Sequence, residues 1–241
     1  MQQEAYQVIY KVEKKHWWFR VRTKLLVMLV KKFFPFKQGD LKILDIGCGT
    51  GLNSRTLEKF GTVTSLDNSP HAISFCKEKG LTDLRLGDAN HLPFADATFD
   101  LVIALDVLEH LKDDQGAVVE IQRVLKKGGV FIAFVPAFSF LWSKHDEYLL
   151  HQRRYNQKML RGLFEGGWNE LKVSYFNIIL FPLVALMRLA IRYLGLPDKD
   201  SFERMPAFNA PFYYIFNTEV FLLPYINLPF GVSLMGVYQK K

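Results

Sequence analysis

Cysteine is scarce in this chain: Cys48 and Cys76 are the only two among 241 residues. Two cysteines do not make a disulfide framework, so a reducing cytosol is the expected compartment. The first residues are polar and charged, which argues against a secretory signal. The most apolar run is too short to span a bilayer. The most apolar stretch, residues 173–187, is fifteen residues long and contains Pro182, whereas a spanning helix needs ~20. Internal repeats and low-complexity tracts are missing too. These absences exclude a secreted disulfide scaffold, a membrane-spanning bundle and a solenoid.

Acidic residues are short at both ends of the chain. Residues 1–40 hold nine Lys/Arg against three Asp/Glu, residues 41–139 ten against thirteen, and residues 140–241 twelve against eight. A mildly acidic middle suits a cationic cofactor, and basic flanks suit an anionic surface or substrate. Solvated helix faces are the plain alternative. With 49% hydrophobic and 15% aromatic residues, a packed core is easily filled.

From residue 41 onward, strand and helix patterns alternate. The sequence predicts strands over 42–46, 62–66, 84–86, 99–105 and 130–135, and helices over 53–60, 70–79 and 114–125. Such alternation implies a parallel sheet covered on both faces, with right-handed crossovers. Two helical segments precede it over residues 4–34, joined by the aromatic-basic block His16-Trp17-Trp18-Phe19-Arg20-Val21-Arg22. Beyond Pro136 the period is lost until a strand over 171–175. An apolar helix over 178–194, a polar linker over 197–206, a helix near 213–222 and a last strand over 232–238 follow.

The most informative run is Leu44-Asp45-Ile46-Gly47-Cys48-Gly49-Thr50-Gly51. It reads as strand, glycine turn and helix start. Gly47, Gly49 and Gly51 permit turn geometry and close approach of a ligand. The spacing is G-x-G-x-G; the third glycine of a dinucleotide site would fall at Leu52. This favours a ligand with no pyrophosphate to cradle and disfavours a nicotinamide oxidoreductase.

Five stretches in order (44–51, 64–69, 87–102, 104–111 and 124–136) resemble the class I S-adenosylmethionine (SAM)-dependent methyltransferases. The resemblance is to the small-molecule type that includes ubiquinone and menaquinone biosynthesis enzymes, and it covers about residues 40–136. Lys127 stands where the family usually has Pro. The resemblance implies an α/β, Rossmann-like seven-stranded mixed sheet with helices on both faces and an antiparallel last strand. It further implies an N-terminal helical lid (1–39), a SAM-binding core (40–136) and a substrate-side region of the same domain (137–241).

It also implies roles. Asp67, ending the second strand, would accept from both ribose hydroxyls, with Asn68 beside it. Asp88 would accept from the adenine amino group while the Ala89 backbone donates to the ring. Leu105 and Asp106 would flank the methionine part, and Asp45 would organise its amino group directly or through water. In the lid, Arg20 or Arg22 would pair with the cofactor carboxylate; docking of Trp17, Trp18 and Phe19 on the core is the alternative.

Methyl transfer is an in-line displacement, so alignment carries much of it, and a base is needed only where the nucleophile must lose a proton. His145 and His151 are the candidate bases. Arg153 and Arg154 are candidate phosphate or carboxylate binders, and Tyr155 an orienting or stacking partner. His110 reads as a supporting residue. No metal site is expected, since His145, Asp146, Glu147 and His151 crowd one segment without a convincing ligand set. Pairing of these charges among themselves is the structural alternative. The apolar helix would be buried in the core first of all, with a substrate roof, a dimer seam or a membrane interface as the other readings. The expected activity is transfer to a small, hydrophobic or lipid-linked metabolite at oxygen, in the cytosol, with peripheral membrane contact left open. Nucleic acid is not an expected partner, because no N-P-P-Y-type motif follows the fourth strand. The rival readings are a nucleic-acid methyltransferase, suggested by the basic flanks, and a non-catalytic SAM-binding, membrane-associated accessory protein.

Overall fold

The computed structural model describes residues 3–34, 39–194 and 209–241. The polar linker read over 197–206 and the side chains of Gln3 and Arg192 lie outside the described residues. Two helices, α1 (Gln3–Val12) and α2 (Trp17–Phe33), lead into β1 (Leu41–Ile46), α3 (Leu52–Leu57), β2 (Gly61–Asp67), α4 (Pro70–Glu78) and β3 (Leu84–Leu86). Next come β4 (Phe99–Leu105), α5 (Asp114–Val124), β5 (Leu125–Pro136), α6 (Lys144–Tyr148) and α7 (Gln157–Gly162). The chain ends with β6 (Trp168–Phe176), α8 (Phe181–Leu194), α9 (Asn209–Leu222) and β7 (Ser233–Lys240).

The seven strands form one sheet in the order β3-β2-β1-β4-β5-β7-β6. Strands β1 to β5 pair in parallel, and β7 inserts antiparallel between β5 and β6. This is the expected mixed sheet. The strand order reverses between β1 and β4, so their carboxyl ends open the crevice where ligands bind in such sheets.

Alternation along β4 explains the two cores. Val102 and Ala104 point to the face covered by α5, where they join Val118, Ile121 and Phe131. Leu101 and Ile103 point to the opposite face, where α2 and α9 bring Leu25, Leu29, Phe216 and Val220. Helix starts follow their caps. Asp113 accepts from Gly116 N at 2.8 Å, and Asn156 accepts from Met159 N at 2.8 Å.

Two differences from the sequence reading have physical causes. The aperiodic stretch after Pro136 contains α6 and α7, which are set by caps because five and six residues are too few to show a period. The apolar helix α8 begins at Phe181, not at 178. The three preceding N–H groups, of Asn177, Ile178 and Ile179, all donate to the buried Glu219 carboxylate of α9 at 2.7, 3.1 and 2.9 Å. That helix is not core: none of its described side chains is fully buried. Among the described residues, no helix is long and apolar enough to cross a membrane.

Gly61 starts β2 directly against β1, where a Cβ would fall 1.9 Å from the Leu41 carbonyl oxygen and 2.5 Å from its nitrogen. Both obstacles are backbone, so only strand displacement could relieve them. Gly61→Ala is expected to cost about 1–3 kcal/mol, read as a lower urea midpoint at unchanged m-value.

Candidate active site

Gly47 and Gly49 take left-handed φ values of 65° and 57° at the end of β1. A Cβ on Gly47 would lie 2.4 Å from Val107 Cγ2, so the turn is closed to larger residues on that side. Above Gly49 the space is open, with only the Gly47 carbonyl oxygen near, at 3.9 Å. The buried Asp67 carboxylate at the end of β2 accepts from Gly49 N and Ser69 N, both at 2.9 Å. Burial raises its pKa against these two donors, which lower it. An open glycine cradle beside a strand-end carboxylate fits a nucleoside-bearing ligand.

Helix α1 closes over this cradle. Tyr6 brings its hydroxyl to Asp67. Glu13, just past α1, accepts from Thr50 Oγ1 at 2.5 Å and pairs with Lys79, whose ammonium also reaches the Thr50 carbonyl. The space beneath it is about 120 Å³, lined by Tyr6, Ile9, Phe19, Gly47, Gly49 and Leu105 among others, smaller than the roughly 300–1,000 Å³ of small-ligand pockets.

A second, larger cavity of about 330 Å³ lies on the other side of Arg22 and Asp106, which line both spaces. The Arg22 guanidinium, buried in α2, grips Asp106 with two nitrogens, one of them at 2.8 Å. Asp106 holds a left-handed φ of 58°, uncommon for a residue with a side chain. The cavity has two ends. Trp17, Leu180, Leu183, Val184, Met187 and Phe212 make one end apolar; Glu109, His110, His145, His151, Arg154 and Arg188 make the other polar.

The polar end is organised by Asp146. As the third residue of α6 it accepts from Ser143 N at 2.9 Å, completing a capping box. It also receives Arg154 through two bonds of 2.8 and 2.9 Å, His151 Nδ1 at 2.9 Å, and Arg188 at 3.7 Å. Burial alone would raise its carboxyl, but His151 and Arg154 hold it well below the usual carboxylate range. Glu109, fully buried, has both oxygens without a hydrogen-bond partner, and burial followed by Asp106 raises its pKa well above normal. Burial and His151 push His110 down to about 4. Ligand atoms of Glu109, His110 and His151 lie within 4.8 Å of one another, close enough to share a cation.

The expected site residues fall into three groups. Gly47, Gly49, Leu105 and Asp106 line the smaller cavity, and Gly51 caps α3 behind it. Asp67 lies under α1, while Asn68 and Asp88 are exposed beside the buried Ala89 at the ends of β2 and β3. His145 and His151 line the larger cavity. The remainder turn elsewhere. Asp45 accepts from Ser54 at 2.5 Å beneath the turn, where burial pushes its pKa up to about 7. Arg20 is exposed, stacked over Tyr213 at 4.1 Å; its neighbour Arg22, a helical step further round, faces the cavity instead. Arg153 pairs with Asp114 at 2.7 Å and Tyr155 is buried with its hydroxyl donating to that same Asp114 at 2.7 Å. Arg154 reaches the cavity wall, yet its guanidinium is committed to Asp146. In the sequence Asp146 reads as an unconvincing metal ligand or as a charge paired within its own segment, and the structure shows that pairing with His151 and Arg154, while Glu109 carries no assigned role. The Ser143-x-x-Asp146 spacing carried a signal for the first; Glu109, in the quoted stretch 104–111, carried none of its own.

The crevice, the cradle and the sheet order define the Rossmann-like methyltransferase class. Residues 44–133 match the methyltransferase domain family Methyltransf_11. Residues 44–133 therefore carry a methyltransferase domain, and the chain is similar in sequence and fold to class I SAM-dependent methyltransferases that act on small molecules. It is 34% identical over 123 residues to sterol 24-C-methyltransferase ERG6B of Gibberella zeae, covering 47% of this chain and 32% of that protein. It is 36% identical over 144 residues to the chloroplastic 2-methyl-6-phytyl-1,4-hydroquinone methyltransferase 2 of Oryza sativa subsp. japonica, covering 56% and 40%. The chain thus spans only 32–40% of the length of these relatives. In fold it is similar to Haemonchus contortus phosphoethanolamine N-methyltransferase 2, solved in complex with S-adenosyl-L-methionine. That match has a TM-score of 0.59 at 19% identity and covers 89% of this chain and 51% of that one.

Removing Asp146 strands Arg154 in the interior. Asp146→Ala is expected to cost about 3–5 kcal/mol in urea melts. In the unaltered chain this carboxyl's pKa is depressed by folding, so its contribution is complete above the ordinary carboxylate range and is lost as pH falls through the folded value. An acid titration of the melting temperature should show that loss and should be flatter in the variant.

Proposed function

We propose that this chain transfers the methyl group of SAM to a small, amphiphilic, lipid-like acceptor, at oxygen. The observation that carries the reading is the cavity with apolar and polar linings that meets the glycine cradle across a shared wall of Ile9, Phe19, Arg22 and Asp106. The cradle residues Gly47 and Gly49, with Asp67, would hold the nucleoside side of the cofactor, and Arg22, Leu105 and Asp106 its amino-acid side. When bound, SAM supplies an electrophilic methyl on a sulfonium.

The rest is work for this chain's own residues. The apolar end, built from α2, α8 and α9, takes the acceptor's hydrocarbon part and excludes water. The polar end takes its reacting group. With Nδ1 engaged by Asp146, His151 keeps Nε2 as its proton-accepting nitrogen. Arg22, Arg154 and Arg188 outnumber Asp106 and Asp146 there, with Glu109 shifted toward its neutral form. Excess positive charge favours an acceptor oxygen that has lost its proton. A carbon acceptor is the second reading, favoured by the 24-C-methyltransferase relative. Residues 1–39 act as the lid, 40–136 as the cofactor core and 137–241 as the acceptor side.

Five measurements test this. Asp67→Ala should abolish SAM binding in calorimetry; unchanged affinity would count against the cradle. Label from methyl-labelled SAM, offered with a host-cell extract, should partition into the organic phase. Tight SAM binding without turnover across a broad acceptor screen would favour the accessory-protein alternative. With the product in hand, an O-methyl or C-methyl signal decides between the two acceptors. His151→Ala should lower kcat by ~10²–10⁴-fold while leaving SAM affinity intact.

A further inference from the structure

Helix α8 shows water a face that soluble helices usually hide: Leu186, Tyr193 and Leu194 are 68, 77 and 72% exposed. Its N-terminus is tied to α9 through Glu219, and both sides of this junction carry exposed apolar residues, Ile179 before α8 and Ile215 and Leu222 on α9. Phe181 packs on Phe230, itself exposed, and Tyr225 and Ile226 in the turn after α9 are exposed too. Large exposed apolar side chains gathered on adjoining elements mark an interaction site.

Charge identifies the partner. Arg20, Lys24 and Lys32 recur at multiples of four along α2, so they share one face. Their cationic groups stand over rings of α9 and the turn after it: Arg20 over Tyr213 at 4.1 Å, Lys24 over Phe221 at 4.3 Å and Lys32 over Tyr225 at 5.0 Å. The described residues of α2, α8 and α9 include one acid, Glu219, and it is buried. Exposed leucines, an aromatic row and a basic row with no surface acid among them complement an anionic bilayer: apolar side chains enter the acyl boundary, rings sit at headgroup depth and cations meet phosphate.

We propose that the α8–α9 face, flanked by the basic row of α2, docks this protein on the surface of an anionic lipid bilayer. The same face leads inward. Leu183 and Met187 are exposed and also line the larger cavity, so the docked surface runs into that cavity's mouth. An acceptor held in the bilayer would then enter without crossing water. That last step rests on the proposed activity; the docking does not, and its test reads partition rather than turnover.

The experiment is flotation of the full chain with vesicles of phosphatidylcholine alone or mixed with phosphatidylglycerol. The chain should float with the mixed vesicles, less with neutral ones, and be released in part by salt. Leu186→Asp with Leu194→Asp should weaken association at least about tenfold. Arg20→Gln with Lys32→Gln should weaken it by about fivefold per charge on the anionic vesicles only. Unchanged far-ultraviolet circular dichroism separates these losses from misfolding. No association with either vesicle, or association that ignores both double variants, overturns the proposal. So does a stable dimer in light scattering that Leu186→Asp with Leu194→Asp makes monomeric, since a second copy would then cover the face. If docking holds while the extract experiment shows no methyl transfer, the surface stands and the activity falls.

Discussion

The arrangement depends on one ion pair, Arg22 with Asp106. The acid stands at the carboxyl end of β4, beside the switch point, in a backbone conformation uncommon for a side-chain-bearing residue. The base comes from a helix that precedes the sheet in sequence. Their contact fixes α2 over the crevice and forms the shared wall of both cavities. The Asp106 side chain is 42% exposed and that of Arg22 only 9%. A half-solvated acid facing a buried guanidinium gives modest net stability, and what it secures is position. Trp18 and Phe134 stack about the guanidinium and leave it little freedom.

Asp146 plays the matching part on the acceptor side. One carboxylate caps a five-residue helix, neutralises Arg154 and orients His151. A short helix has little stability of its own, so the cap and the ion pairs fix the segment between β5 and β6. The same bonds that order this segment place an imidazole at the cavity wall, which makes structural and chemical roles inseparable here.

All seven strands and their parallel core could be read from the sequence because buried strands write their pattern in adjacent residues. The glycine turn and the Asp67 position were legible for the same reason: both depend on local backbone. What escaped was long-range. Arg20 and Arg22 are two residues apart and chemically alike, and only the helix phase, set by which residues of α2 meet the sheet, decides which faces the crevice. Arg153 and Tyr155 read as ligand-binding residues because their partner Asp114 lies about forty residues away, whereas the Arg154–Asp146 pair falls within one segment, as the structural alternative had it. The exposure of α8 was hidden because an apolar helix looks the same in sequence whether it packs on protein or faces outward.

Ile9 of α1 lines both cavities. The helix that latches the cradle through Glu13, Thr50 and Lys79 is therefore also part of the acceptor chamber's wall. Under the proposed function this fixes a kinetic property. A shift of α1 that exchanges one ligand also alters the wall of the other's chamber, so the two exchanges are coupled through one helix.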